Sequence, residues 1–244
     1  MEVKGKAVWI TGGANGIGAA VARRLAGLEA RLLLSDVDAE RGEALAAELD
    51  AGFVRCDVSD PAQSAAAVAR AVDLFGGLDL AFLNAGVSTG SGIGEDFDPA
   101  AYRRAMSINL DGVVYGANAA IPALRARGGG DIVATASMGG LTPMPYDPYY
   151  ATNKAAVIAL VRSLGPALEP DGVRVNALCP SFARTDIIIP LREFLGDFPI
   201  LDVETVVDAF LALLEAGGTG QAWPVVPGRD VEPFRFRGVP GPRV

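Results

Sequence analysis

Short apolar runs and longer stretches of helical periodicity alternate along this chain. Ala7-Val-Trp-Ile10 and Leu32-Leu-Leu34 are runs of strand length, and they predict strands over 6–11 and 31–36. Between them Ile17, Val21, Leu25 and Leu28 recur at helical spacing, which predicts a helix over about 16–28. The alternation continues with a helix at 39–49, a strand at 53–56, a helix from Pro61 to Phe75 behind the start signal Ser59-Asp60-Pro61, and a strand at 78–83. A long helix over 101–125 follows, then a strand at 131–136, a helix opened by Asp147-Pro148, a strand at 172–178, a helix at 203–215 and a last strand at 221–226. Pro122 is expected to bend the end of the long helix, and Gly165-Pro166 to kink or end the next one. No linker, repeat or charge block interrupts this rhythm. Such alternation implies right-handed crossovers and helices on both faces of a parallel sheet: a single α/β domain, doubly wound, of about seven strands.

The first strand–helix junction carries the most specific chemistry. Thr11-Gly-Gly-Ala-Asn-Gly-Ile-Gly18 places Gly12, Gly16 and Gly18 where a strand turns into a helix. A phosphate needs that corner: a tight turn, a backbone that no Cβ holds off, and the unpaired N–H groups of a helix start. Asp36 ends the second apolar run, eighteen residues after Gly18, where a dinucleotide fold sets an acid against the adenosine ribose.

Composition changes the picture mainly by exclusion. The 244 residues fit one domain, and half of them are hydrophobic. A net charge of −8 speaks against nucleic acid and anionic membranes as partners. The first apolar run is only strand-long and no run approaches bilayer length, so neither a signal segment nor a membrane span is expected. Cys56 and Cys179, distant in sequence, read as buried small hydrophobes of a protein in a reducing cytoplasm. The chain has no histidine, which removes Ser-His-Asp triads, histidine bases and histidine-ligated metal. Acid–base work near neutral pH then falls to Tyr, Lys, Cys or shifted carboxylates.

Several later residues stand where strands end. Asn84-Ala85-Gly86 closes the fourth strand, and on local sequence Asn84 reads equally as a turn residue. Asn109 falls mid-helix, where its side chain competes for backbone hydrogen bonds; it signals either a kink or role, or an ordinary surface asparagine. Ser137 ends the fifth strand, on the side where parallel sheets bind ligands. Tyr150 and Lys154 are four apart on a helix and share a face.

In their order, Thr11-Gly12…Gly16-Ile17-Gly18, Asp57-Val58, Asn84-Ala85-Gly86, Asn109, Ser137, Tyr150-Ala-Thr-Asn-Lys154 and the segment Pro180…Thr185 resemble the short-chain dehydrogenases/reductases, over residues 5 to about 226. The resemblance implies a Rossmann fold and a nicotinamide cofactor. It implies Tyr150 as catalytic acid/base, Ser137 as the donor holding the substrate oxygen, Lys154 on the nicotinamide ribose and Asn109 positioning a water in a proton relay. The cofactor set it implies is Gly12, Asn15, Gly16, Ile17, Gly18, Asp36 and Val37 in the first half. Asp57, Val58, Asn84, Ala85 and Gly86 follow, then Tyr150, Lys154, Pro180, Ala183 and Thr185. Asp57 would meet the adenine edge and Val58 supply an amide, the other reading of Asp57 being a helix cap.

The physical logic runs beside the resemblance. A free tyrosine has a pKa of about 10, and an adjacent cation lowers a pKa by roughly 1–3 units, so Lys154 and an oxidised nicotinamide would favour the Tyr150 phenolate. A carboxylate at 36 accepts from ribose hydroxyls and repels a 2′-phosphate, and Val37 stands where a phosphate-binding relative would carry arginine; NAD(H) is expected. Two positions depart from the family pattern: Leu83 replaces an asparagine before Asn84, and Ser181 replaces a glycine after Pro180. The rival readings are an NADP(H)-linked ketoreductase, a catalytically silent dinucleotide-binding regulator and a cofactor-free acyl-transfer enzyme.

Residues 181–201 hold Phe182, Ile187, Ile188, Ile189, Leu191, Phe194, Leu195, Phe198, Ile200 and Leu201 with weak periodicity. They read as a lid over an apolar pocket, with Met138, Met144 and Phe97 on the other wall; the competing reading packs them on the protein's own body or a neighbouring subunit. The lid charges Arg184, Asp186, Arg192, Glu193 and Asp197 nearly cancel, so a secondary alcohol or ketone with hydrocarbon flanks is the expected substrate. Residues 227–244 form a proline-, glycine- and arginine-rich tail outside the domain at 1–226. The resemblance also implies a homo-oligomer, dimer or tetramer, through the helices at 101–125 and 149–164, with Gly112, Gly116 and Ala155 permitting close packing; otherwise those faces meet only the sheet.

Overall fold

The computed structural model describes residues 2–191 and 195–238. Seven strands, β1 (Ala7–Thr11), β2 (Arg31–Asp36), β3 (Gly52–Arg55), β4 (Leu80–Leu83), β5 (Gly130–Thr135), β6 (Val173–Pro180) and β7 (Ala222–Val225), form one sheet in the order β3-β2-β1-β4-β5-β6-β7. Every pairing is parallel. The crossovers are α1 (Gly16–Gly27), α2 (Ala39–Leu49), α3 (Pro61–Phe75), α4 (Pro99–Met106) with α5 (Gly112–Ala126), α6 (Pro148–Leu168) and α7 (Val203–Ala216). This is the doubly wound single domain that the alternation implies.

Strand periodicity builds two cores from one sheet. Trp9, Leu33, Ala81, Leu83, Ile132 and Ala134 point to the face covered by α3, α5 and α6. Their neighbours Val8, Ile10, Leu32, Leu34, Phe82 and Val133 point to the face covered by α1, α2 and α7. Because both faces are buried, the strands read as continuous apolar runs. The polar tip of buried Trp9 is satisfied, its Nε1–H donating to Ser35 Oγ at 2.8 Å.

Three local expectations are corrected. The helix expected over 101–125 starts at Pro99, capped by Asp98, and is broken into α4 and α5 by a π-helical turn at Ser107–Asp111, in which the Gly112 N–H reaches back to Ser107 O. α6 does not end at Gly165-Pro166; it runs to Leu168, because Pro166 lies in the last turn and Gly165 gives the passing Gly220 backbone room that a Cβ would take. Gly112 and Gly116 face inward: a Cβ on Gly112 would come within 2.7 Å of Val58 Cγ2, and one on Gly116 within 2.7 Å of Leu83 Cδ2. Gly112 packs the helix on the turn after β3 and Gly116 packs it on β4, so both meet the protein's own body, close to the competing reading, while Ala155 is exposed.

The segment after β6 is a loop closed at its base. Ala183 bridges to Leu201, the Arg184 N–H donates to Leu201 O and the Leu201 N–H donates to Phe182 O. Arg192, Glu193 and Phe194 lie outside the described residues, as does the side chain of Leu191. The described part of the tail returns to the body: the Phe234 N–H donates to Ala222 O at 2.7 Å, and the Arg162 guanidinium stacks 3.8 Å from the centroid of the Phe236 ring. The two cysteines are free and buried. Among the described residues no helix is long and apolar enough to cross a membrane.

Candidate active site

The C-terminal ends of the strands open into one cleft of about 1040 Å³. It spans the gap between β1 and β4, where the strand order reverses and where open α/β sheets bind ligands.

On the β1 side, Gly12, Asn15, Gly16 and Ile17 line the cleft. Asn15 stands at the N-cap of α1 without a side-chain cap bond, so the helix start keeps its N–H groups for a ligand. Gly12 has φ +63° and a Cβ there would come within 2.8 Å of Ala85 Cα. Gly18 is buried one turn deeper and does not line the cleft; a Cβ on it would overlap the Gly12 carbonyl oxygen. Its role is to let the turn close on the helix. Thr185 arches over from the loop after β6, 3.2 Å from where a Cβ of Gly16 would sit.

Asp36 borders the cleft and is already tied on both oxygens: Oδ2 accepts from the Ala14 N–H at 3.0 Å and Oδ1 from the Asp38 N–H at 3.1 Å. Val37 beside it is exposed. Asp57 and Val58 continue this end of the cleft with Cys56, whose thiol burial pushes up to about 11. Asp57 Oδ1 accepts from the N–H and the hydroxyl of Ser59, while Asp60 caps α3 by accepting from the Ala62 N–H; Asp57 is therefore not the cap of that helix.

Asn84 joins the two halves. Its Nδ2 donates to Thr11 O and Gly12 O, its Oδ1 accepts from Thr135 Oγ1, and Ala85 and Gly86 carry the chain along the cleft. Leu83, in place of the second asparagine, packs against Gly116. Asn109 is fully buried behind the cleft, and its carboxamide is committed to Val87: Oδ1 accepts the Val87 N–H and Nδ2 donates to Val87 O, both at 2.8 Å.

Ser137, Tyr150 and Lys154 meet at the other end. The Ser137 hydroxyl faces the Tyr150 phenol, donates to Pro180 O at 3.5 Å and accepts the Gly139 N–H at 3.1 Å. Lys154 Nζ donates to Thr135 O at 2.8 Å and lies 5.6 Å from the centroid of the Tyr150 ring. Gly86 makes room for this: a Cβ there would come within 3.3 Å of Nζ. The chain by itself does not depress the tyrosine. Burial pushes the Tyr150 phenol up to about 12 against the pull of Ser137, and burial lowers Lys154 to about 8. The expectation that Lys154 draws Tyr150 down is thus outweighed by desolvation in the protein's own field.

The wall of the cleft beyond Ser137 and Tyr150 is largely apolar. Met138 and Met144 line it, with Phe182, Ile187, Ile188 and Phe198 from the loop opposite and Pro180, Ser181 and Ala183 at its base. Tyr146, Phe182 and Phe198 form a ladder, with ring centroids 6.0 Å and 5.3 Å apart. Phe97 is not on this wall; it packs with Tyr102 and Tyr149, outside the cleft. The loop's apolar residues divide: Ala183 and Leu201 join the core, Ile188 and Leu195 are buried, and Phe198 stays half exposed. Sequence reasoning missed Tyr146, the second bond made by Asp147, and Arg41, which reaches Asp38 at 3.6 Å and Asp186 of the loop at 3.5 Å. A lone aromatic and an exposed arginine carry no pattern that would have marked them.

The sequence matches the family described as short chain dehydrogenase over residues 6–195. It is 37% identical over 183 residues to the 3-alpha-(or 20-beta)-hydroxysteroid dehydrogenase of Mycobacterium tuberculosis, spanning 74% of this chain and 70% of that one. It is 34% identical over 216 residues to the trans-4-hydroxycyclohexanecarboxylate dehydrogenase of Sinomonas cyclohexanicum, spanning 84% and 83%. Among solved structures, levodione reductase superposes with a TM-score of 0.86 at 31% identity, over 92% of this chain and 97% of that one. The 3-ketoacyl-(acyl-carrier-protein) reductase of Brucella melitensis complexed with NADH also gives 0.86, at 29% identity over 93% and 99%.

Proposed function

The chain belongs to the short-chain dehydrogenase/reductase family, and from that premise we propose that it is an NAD(H)-dependent oxidoreductase interconverting a secondary alcohol and a ketone on an apolar, ring-bearing substrate. Its relatives are oxidoreductases named for hydroxyl and keto substrates. One observation carries the reading. Ser137, Tyr150 and Lys154 share one cleft with a glycine turn, an uncapped helix start and Asp36 at its far end.

The residues fit a dinucleotide. Gly12 and Gly16 leave the phosphate corner without Cβ atoms, the α1 N–H groups are free to receive charge, and Asp36 presents a carboxylate to ribose hydroxyls. Asp57, Val58 and Asn84 to Gly86 would flank the adenosine, while Lys154, Pro180, Ala183 and Thr185 would hold the nicotinamide end. A nicotinamide held there would supply hydride-transfer chemistry and, in its oxidised form, a positive charge.

The chain's own groups handle the proton. In reduction Tyr150, kept neutral by burial, donates its phenolic proton to the carbonyl oxygen while the Ser137 hydroxyl holds that oxygen. In oxidation Tyr150 takes the alcohol proton, and the nearby Lys154 ammonium favours the phenolate that this needs. Asn109 keeps the Val87 backbone in place behind them. Met138, Met144 and the Tyr146–Phe182–Phe198 ladder exclude water and suit saturated rings, in keeping with the alicyclic skeletons named for the hydroxysteroid and hydroxycyclohexanecarboxylate relatives. The loop at 181–201 acts as the lid of this pocket. The protein works in the cytoplasm as a homo-oligomer, for which the exposed Ala155 face of α6 offers a contact.

The test is a panel of secondary alcohols with NAD⁺ and NADP⁺, read at the absorbance of reduced nicotinamide. Alicyclic alcohols are expected to gain in kcat/KM by up to ~0.8 kcal/mol per added buried methylene. A flat series, or a preference for sugars and small polyols, would overturn the substrate reading.

A further inference from the structure

Asp147 does more than start a helix. Its Oδ1 accepts the Tyr150 N–H at 2.9 Å, which caps α6. Its Oδ2 accepts the N–H of Thr89 at 3.0 Å, from the loop that follows β4. The carboxylate is 8% exposed, and no cation lies within ion-pairing distance among the described residues. An ordinary cap needs one oxygen and sits in water. This one is withdrawn from solvent, and its second oxygen takes a partner 58 residues away in sequence.

The loop it holds is a wall of the cleft: Val87, Ser88, Gly90 and Ser91 all line it. That wall is therefore pinned twice by buried polar side chains, at Val87 by Asn109 and at Thr89 by Asp147. Only the second pin ends on the turn of helix that carries Tyr150.

We propose that Asp147 is a positioning residue for the acid–base step: one carboxylate fixes the start of the Tyr150 helix and the cleft wall at 87–91 in a single register. The inference rests on Tyr150 being the acid/base. It also has an electrostatic consequence. The groups facing the Tyr150 phenol are Lys154 from α6, Asp147 and Tyr146 from the preceding turn, Ser137 from the end of β5 and Cys179 from β6. Burial pushes the Cys179 thiol up to about 12, so it is neutral at working pH. Asp147 is then the one anion of the set, opposed by the Lys154 ammonium, and it holds Tyr150 towards the protonated phenol.

Asp147→Asn separates these roles from capping. Asparagine caps as well as aspartate, but its amide cannot accept both N–H groups, and the charge is gone. Asp147→Ser also keeps a cap without the second bond, and it carries the test if the asparagine variant fails to fold. For oxidation of an alicyclic alcohol with NAD⁺, the plateau kcat is expected to fall roughly tenfold. The acid limb of the pH profile is expected to move about 0.5–1 unit towards lower pH. The NADH dissociation constant is expected to stay near that of the unaltered enzyme, and the thermal midpoint to fall by a few degrees because one buried N–H loses its acceptor. A merely structural cap would not move the limb. An Asp147→Asn enzyme whose acid limb does not move overturns the inference, whatever its plateau. Tyr150→Phe, run in parallel, separates the two failures. If it retains turnover the acid–base reading itself falls and takes this one with it; if it is inactive while Asp147→Asn behaves as the parent, only the role of Asp147 is lost.

Discussion

The proposed preference for NAD(H) rests on one carboxylate. Asp36 borders the pocket with Val37 exposed beside it, and no cation is bonded to it among the described residues; Arg41 is engaged with Asp38 and Asp186. Two unit charges at about 4 Å and an effective dielectric of about 20 repel by roughly 4 kcal/mol, a factor of about a thousand in affinity. Screening at physiological salt removes much of this for a half-exposed pair, so NADH is expected to bind at least about tenfold tighter than NADPH. Asp36→Asn removes the charge and one of the two acceptors used by the Ala14 and Asp38 N–H groups, and should narrow that gap most at low salt. Asp36→Ala also removes the charge but strips the acceptor from both N–H groups, which hold the phosphate turn and the start of α2. It should weaken both cofactors, and adding Val37→Arg should bring back NADPH alone. The assay is calorimetric or fluorescence titration of NADH and NADPH at two ionic strengths. Equal dissociation constants in the parent enzyme, or a preference indifferent to salt, would refute the reasoning.

Tyr150→Phe is expected to abolish turnover with NADH affinity nearly unchanged, since only the phenolic proton is removed; substantial residual turnover under steady-state assay would exclude Tyr150 as the acid/base. Lys154→Met is expected to lose activity yet raise the melting temperature near pH 7. The buried ammonium, lowered from 10.5 to about 8, makes the folded state bind fewer protons than the unfolded chain, so its penalty is full below about pH 8 and fades as pH rises towards 10.5. The gain over the parent should shrink across that window, and a difference independent of pH would contradict the sign. Gly18→Ala should cost several kcal/mol, seen as failed expression or a large fall in denaturant midpoint, because its methyl would collide with Gly12 O and come within 2.7 Å of Asn84 Nδ2. Light scattering at micromolar concentration should report a dimer or tetramer, and a monomeric mass would remove the oligomer.

Local pattern carries as far as the residues that read it alone. The strand at 31–36 and the helix at 39–49 emerge with the bounds that periodicity assigns, because a run buried on both faces gives way sharply to a one-sided helix opened by Asp38. The phosphate corner was legible for the same reason, being built from consecutive residues. Asp36, Ser137 and the Tyr150–Lys154 pair were legible because strand ends and helical spacing place them. Contacts between distant segments were not. Whether Gly112 and Gly116 face a partner or the sheet depends on where Val58 and Leu83 come to rest. The π-helical turn around Asn109 inserts one residue into a helix of ordinary composition, and the competition of Asn109 for backbone bonds is resolved by Val87, 22 residues away in sequence. Asp147 reads as a cap from its neighbours alone; its second bond exists only because the fold brings Thr89 to it. The loop at 181–201 shows weak periodicity because its described apolar residues serve two surfaces, core and cleft. A sequence encodes the burial of each residue one at a time, and the pairing of polar groups across the cleft is decided when the sheet closes.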